Sequence, residues 1–211
     1  MPLKTFFLHP QYQEATTNND VGMVEMASPL TFSRQVQPIC LPSNTMCLRG
    51  AADASGTTVT ITGWGKTNRF LENEGMPTKL QGAEIPVMTG AYCKTHYPFE
   101  DMSDSYYNEA TMTCAANGVG VDGCSGDSGS PLTYKGAGDF YTLWGMNSWS
   151  NEPCATGGAP GVYVRVNNFL EWIKTTSGVY PQGDSLTGPG SSCTEEEASV
   201  GTWGTNGLVA N

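Results

Sequence analysis

An all-β chain, a barrel or a sandwich and not a helical bundle, is what this sequence predicts. Two observations carry the prediction. Valine, threonine, tyrosine and tryptophan recur in short runs of strand length. Between them, 26 glycines and 13 prolines supply many turns. At 211 residues the chain is long enough for one or two small domains with real cores.

The elements follow in order. Thr5 to Leu8 reads as a short strand before the polar loop opened by His9-Pro10. Val21 to Met26 is a second strand, and Gln37 to Pro42 an extended segment flanked by prolines. Thr57 to Thr62 alternates β-branched residues and ends at the turn Gly63-Trp64-Gly65. Residues 66–79 are polar and loop-like. Leu80 to Met88 is a strand in which Pro86 demands an edge or a bulge, because proline has no N–H for a ladder. Ala91 to Tyr107 holds a short helix and a loop, and Met112 to Ala115 a brief strand. Leu132 to Tyr134, Phe140 to Ser148 and Gly161 to Val166 supply three more strands. Asn167 or Asn168 caps a helix running through Thr175, with Phe169, Trp172 and Ile173 on one apolar face. After Gly178 the chain is rich in Gly, Ser, Thr and Glu and reads as a flexible tail.

The net charge of −10 argues against nucleic acid or an anionic membrane as a partner. Part of that charge is the solvated run Glu195, Glu196, Glu197. Seven scattered cysteines suggest an oxidising compartment, and the odd count leaves at least one free or paired outside the chain. With no C-x-x-C pair and two histidines, no metal site, redox site or cofactor is expected. No run reaches the length of a transmembrane helix. The apolar run in Met1 to Leu8 is too short for a signal peptide, which points to a true N-terminus further upstream.

The chemistry concentrates in Asp122-Gly-Cys-Ser-Gly-Asp-Ser128-Gly-Ser-Pro131. One serine stands between two glycines, behind an acid and near a cysteine. A serine hydroxyl needs a base to take its proton and donors aimed at the oxyanion. Glycines at 126 and 129 permit turns that a side chain would block. The lipase-type elbow G-x-S-x-G fails, because its fifth position is Ser130.

With Ser148-Trp-Ser150 and Pro160-Gly-Val-Tyr163 downstream, this loop resembles the chymotrypsin/trypsin family of serine endopeptidases. The resemblance covers about residues 5–176 and is strongest from 110 onward. It implies a double β-barrel with the first barrel incomplete, closed by a short C-terminal helix. The domain would be residues 1–176, with 177–211 as tail. Ser128 would be the nucleophile, with the N–H groups of Gly126 and Ser128 as the oxyanion hole. Asn19-Asp20-Val21-Gly22-Met23-Val24 resembles the family's N-D-I-A-L-L strand, making Asp20 the acid that orients a histidine.

The resemblance also marks what is absent. The family's base sits in an A-A-H-C segment before the aspartate, and none occurs here. His9-Pro10-Gln11-Tyr12 matches the family's H-P-x-Y loop, and His96 falls in a surface loop, so neither is the base. An I-V-G-G amino terminus, the family partner of Asp127, is missing too; without it the Asp127 carboxylate should be costly and the loop should rearrange. Either the chain starts inside a protease domain or it is a shortened inactive product. The intact serine loop, pocket and aspartate favour the first.

Asp122 implies a pocket floor that selects Arg or Lys by charge-assisted hydrogen bonds. Gly123 leaves room beside it, Gly161 lines the opposite wall, and Ser148, Trp149 and Ser150 pair with an extended substrate backbone. Ser150 stands where glycine is usual and crowds the mouth. The family's bridges imply disulfides Cys93–Cys114 and Cys124–Cys154, while Val59 and Tyr134 replace a third. Cys40 resembles the cysteine that bonds an upstream segment; Cys47 and Cys193 either pair together or leave Cys193 free. The function implied is a secreted, trypsin-like endopeptidase acting on peptide substrates with a basic P1 residue. The alternative is a non-catalytic homologue that binds or regulates.

Overall fold

The computed structural model describes residues 2–42, 56–67, 76–97, 107–116, 120–135 and 141–178, and the backbone of 208–210. Cys47, Cys193, the Glu195–Glu197 run, and most of the expected tail and of the loops within 66–79 and 91–107 lie outside these residues.

Two sheets make up the structure. In the first, β1 (Leu3–Leu8) pairs antiparallel with β2 (Gly22–Met26), matching the first two expected strands. The backbone of β9 (Leu208–Ala210) lies antiparallel on the other edge of β2, with Met23 opposite Ala210. The second sheet has six strands in the order β4-β3-β6-β7-β8-β5. They are β3 (Thr58–Gly63), β4 (Gln81–Pro86), β5 (Met112–Ala115), β6 (Pro131–Lys135), β7 (Tyr141–Trp149) and β8 (Gly161–Arg165). Pro86 ends β4 on the edge of the sheet, as a residue without an N–H must. One residue on, Val87 bridges to Ala115, so the two outer strands meet and the sheet curls toward closure.

The barrel interior holds Val59, Ile61, Ile85, Leu132, Trp144 and Tyr163, with Tyr134 packed against them. Val59 and Tyr134, where the family resemblance led us to look for a lost disulfide, thus join one apolar cluster, so packing takes the place of the staple. A second cluster, from Leu143, Met146, Val164 and Phe169, takes in Val21 at the entrance to β2 and ties the two sheets together. The disulfides Cys93–Cys114 and Cys124–Cys154 both form. Cys40 is a free, half-buried thiol whose pKa burial raises; its backbone lies along β7, donating to Tyr141 O at 3.1 Å.

Helix α1 (Gly90–His96) is capped by the Thr89 hydroxyl, which accepts from Tyr92 N–H at 3.0 Å. The closing helix departs from expectation in one detail. A 3-10 turn (Val166–Phe169) precedes α2 (Leu170–Ser177), so Asn167 and Asn168 lie inside the turn and no side chain caps either element. The strand β8 runs straight into the turn, so the cap position falls to Arg165, which is extended but whose side chain makes no capping bond. Phe169, Trp172 and Ile173 do share the buried face. No helix among the described residues is long and apolar enough to cross a membrane.

Candidate active site

The first acid is delivered by a strained turn. Asn19 has φ 55°, a left-handed conformation that asparagine tolerates better than most residues. Its side-chain amide donates to Gln11 O at 2.9 Å, and Val21 N–H donates back to Asn19 O at 2.8 Å. Just before it, the side-chain oxygen Oδ1 of the buried Asn18 accepts from Asn108 Nδ2 at 2.8 Å and Thr111 Oγ1 at 3.0 Å, fixing the turn to the larger sheet. Asp20 is therefore half-buried between the sheets. The Ser148 hydroxyl, at the end of β7, donates to Asp20 Oδ2 at 2.6 Å. Ser148 thus engages the acid with its side chain, a role that sequence reasoning did not give it.

The serine loop is a chain of tight turns. Gly126 has φ 99° and Gly129 φ 78°, the backbone freedom expected of both. Asp127 N–H donates to Cys124 O, and Ser130 N–H to Asp127 O, each at 2.8 Å. The Asp127 carboxylate turns inward and accepts from Gly65 N–H at 2.7 Å and Cys124 N–H at 3.0 Å. Asp127, expected to be costly without its charged amino-terminal partner, thus accepts from two backbone donors. The turn Gly63-Trp64-Gly65 cradles it, since a side chain at 63 or 65 would collide with the carboxylate. Lys66 N–H adds a bond to Ser125 O at 3.0 Å. Ser128 stands exposed at the crest. Among the described residues, no hydrogen bond engages its hydroxyl or the N–H of Gly126 or Ser128. Met76, an exposed residue that sequence reasoning passed over, packs its thioether end against Gly126.

Strand β7 joins the two groups. Gly129 N–H donates to Asn147 O at 2.8 Å, and Asn147 N–H to Ser130 O at 2.9 Å. The next residue, Ser148, holds Asp20, so the crest and the acid share one end of β7.

Below lies a cavity of about 350 Å³ lined by Asp122, Asp127, Asn147 and Tyr163, among others, against Gly63 and Gly65. Asp122 Oδ1 accepts from Gly123 N–H at 2.7 Å and from the Tyr163 hydroxyl at 3.2 Å. Its other oxygen, Oδ2, is buried with no partner among the described residues. Burial pushes the Asp122 carboxyl up to about 7, its hydrogen bonds opposing and the Asp127 charge adding. Gly161 packs directly on the carboxylate, where any side chain would collide, and Gly123 packs against the Asn147 amide. Ser148, Trp149 and Ser150 are not among the residues lining this cavity. Trp149 turns its ring to the core, edge-on to Tyr97 with centroids 4.6 Å apart, and its Nε1 is buried without a partner. Ser150 is half-buried at the strand end.

Neither histidine joins this site. His9 is buried edge-on between Phe169 and Trp172, at centroid distances of 5.2 and 5.0 Å, and its Nδ1 accepts from Gln11 N–H. His96 lies on α1 with its ring over Tyr92, at 4.4 Å between centroids.

The family model described as "Trypsin" matches residues 1–173. The chain belongs to the trypsin family. It is 34% identical to trypsin II-P29 of Gallus gallus over 174 residues, which are 82% of this chain and 61% of that protein. It is 34% identical over 173 residues to the atrial natriuretic peptide-converting enzyme of Homo sapiens, spanning 82% of this chain and 15% of the relative. The ovochymase of Halocynthia roretzi is 37% identical over 178 residues, 81% of this chain and 10% of the relative. The chain thus spans a minor part of the two longer relatives. Among solved structures, neuropsin, a serine protease of mouse brain, superposes with TM-score 0.68 at 27% identity, covering 83% of this chain and 70% of the other. Trypsin-family membership accounts for the mostly-strand architecture, the curled six-stranded sheet and the closing helix.

Proposed function

We propose that this trypsin-family chain carries the nucleophile and pocket of a secreted serine endopeptidase that cleaves after Arg or Lys. The observation that carries the reading is Asp122, a half-buried acid lining the cavity, whose Oδ2 is buried with no hydrogen-bond partner among the described residues. Such a group needs a positive partner, and a basic P1 side chain supplies one. The Ser128 hydroxyl gives its proton to the base and attacks the scissile carbonyl; the C–N bond breaks as the amine leaves with that proton, and water then hydrolyses the acyl-enzyme, releasing the acid and restoring the hydroxyl. The N–H groups of Gly126 and Ser128, without hydrogen bonds among the described residues, stabilise the oxyanion. Asp20, held by Ser148, orients the base. The backbone of Ser148, Trp149 and Ser150 takes the extended substrate, and Gly123 and Gly161 leave room for its side chain.

The base itself is supplied by neither His9 nor His96, so we assign it to sequence outside these 211 residues. Cys40 is the matching candidate for a disulfide to such a segment. The second reading, a non-catalytic homologue that binds or regulates, is favoured by those two histidines being engaged elsewhere.

A fluorophosphonate probe separates the two. The native protein from its source should label at Ser128, located by mass spectrometry of the tryptic peptide, whereas the isolated 211-residue chain should label poorly. Native protein that folds and binds a cation but takes no label would favour the binding module.

A further inference from the structure

We propose that Met76 is a modification site that governs the serine loop: oxidation of its thioether to the sulfoxide by a peroxide slows chemistry at Ser128. The inference rests on the reading of Ser128 as the nucleophile and of Gly126 N–H as an oxyanion donor. A Cβ added at Gly126 would stand 2.8 Å from Met76 Cε, 3.3 Å from Met76 Sδ and 3.2 Å from Gly65 Cα. The thioether and the Gly65 backbone therefore fill the space that a side chain of residue 126 would occupy. Gly126, at φ 99°, has no side chain of its own to hold its backbone in place. The peptide unit that carries its N–H is fixed at the carbonyl by Lys66 N–H, which donates to Ser125 O at 3.0 Å. One hydrogen bond and one apolar seat thus set where that N–H points. The sulfur is also open to attack. Met76 is 59% exposed, whereas Met23, Met112 and Met146 are buried and Met26 and Met88 half-buried.

The step is an oxygen transfer. A lone pair of Met76 Sδ attacks one oxygen of hydrogen peroxide; the O–O bond breaks, an S–O bond forms and water leaves. Sulfur loses two electrons and the peroxide gains them. The product is polar and chiral, and neither epimer suits the present seat. Directed inward, the new oxygen enters the space closed by Gly126 and Gly65. Directed outward, it makes the sulfur end polar, and water competes for it with the apolar contact. Either way Gly126 loses the group that stands in for a side chain. Its wide backbone freedom then lets its peptide turn away from the oxyanion position. Misplacing one oxyanion donor in this way slows attack by roughly ten- to hundredfold.

The test is fluorophosphonate labelling of the native protein before and after hydrogen peroxide, with peptide mass spectrometry following the sulfoxide at Met76. The labelling rate should fall about ten- to hundredfold in step with that sulfoxide, and methionine sulfoxide reductases should restore it. Met76→Leu, apolar and without sulfur, should hold its own rate through the same treatment. A wild type that labels equally fast with Met76 oxidised overturns the inference, and so does a Met76→Leu protein that slows just as much. So does a Met76 that stays reduced while Met26 and Met88 oxidise. In the isolated, isotope-labelled chain, NMR should show the amide resonances of Gly126 and Ser128 shifting on oxidation in the wild type and not in Met76→Leu; unmoved resonances also overturn the inference. Circular dichroism checks that the oxidised chain stays folded. An untreated native protein that takes no label is a different result: the nucleophile reading falls, and this inference with it.

Discussion

Asp122 holds one oxygen in two hydrogen bonds and leaves the other bare, and its pH behaviour follows. Its carboxyl is raised from an ordinary 3.8 to about 7. The folded protein therefore binds a proton more tightly than the unfolded chain between those values. The contribution to stability is full below 3.8 and is lost as pH rises toward 7. Thermal melts should show Asp122→Asn gaining on the wild type as pH rises from 5 to 8, by about 2–4 °C for each kcal/mol relieved. The same proton competes with a bound cation. Affinity for n-propylguanidinium should be flat above pH 7 and fall by about tenfold per unit below it. Calorimetry at pH 5, 6 and 8 checks this; a flat profile would show that Asp122 is not the receiving group. At the crest, Gly126→Ala puts a side chain at φ 99° and against Met76. It should cost about 1–2 kcal/mol in denaturant melts and suppress fluorophosphonate labelling of the native protein.

Whole elements respond through their contacts. Helix α2 and its 3-10 turn grip the end of β1 through His9, whose ring meets Phe169 and Trp172. Burial lowers the His9 pKa from 6.5, so the neutral ring is the one that packs. Here the stabilising contribution is present above 6.5 and declines as pH falls below it. Trp172 fluorescence should therefore report a loosened helix at pH 5 that is absent in His9→Phe. The Cys124–Cys154 bridge closes a loop spanning 30 residues and joins the serine loop to the segment before β8. Replacing both cysteines with alanine should cost roughly 3–4 kcal/mol in urea melts and weaken cation binding, because Asp122 lies two residues from the bridge.

Much of this element layout was legible in the chain. Strands β3, β5 and β7 follow from β-branched and apolar runs ended by turn residues, and Pro86 announced its own edge. The glycines at 126 and 129 were legible because few other residues fit their turns. What local pattern does not carry is pairing across distance. The bond from Ser148 to Asp20 links residues 128 positions apart, and nothing in either neighbourhood marks it. Asn147 was passed over because a single asparagine in Trp-Gly-Met-Asn-Ser-Trp looks like the end of a strand, though a polar residue in so apolar a run was a signal. The missed 3-10 turn reflects backbone geometry at a strand end, where either asparagine suited a cap on composition alone.

At the scale of the molecule, the two sheets differ in how well they are covered. The six-stranded sheet encloses its own core, whereas β1 shows Leu3, Phe6 and Leu8 to solvent, with Phe6 74% exposed. Apolar strand surface of this kind promotes association despite a net charge of −10. Sedimentation of the purified chain should show concentration-dependent self-association that Phe6→Lys with Leu8→Lys reduces.

Tyr163 belongs to both worlds. Its ring, 1% exposed, packs in the barrel interior, while its hydroxyl reaches the carboxylate of Asp122. Redesign for a different side chain at the cleavage site therefore cannot treat the floor as an interchangeable part: exchanging the acid strands a phenol in the hydrophobic centre, and trimming the phenol hollows that centre out. Altered selectivity in this scaffold has to be sought as paired changes at both positions.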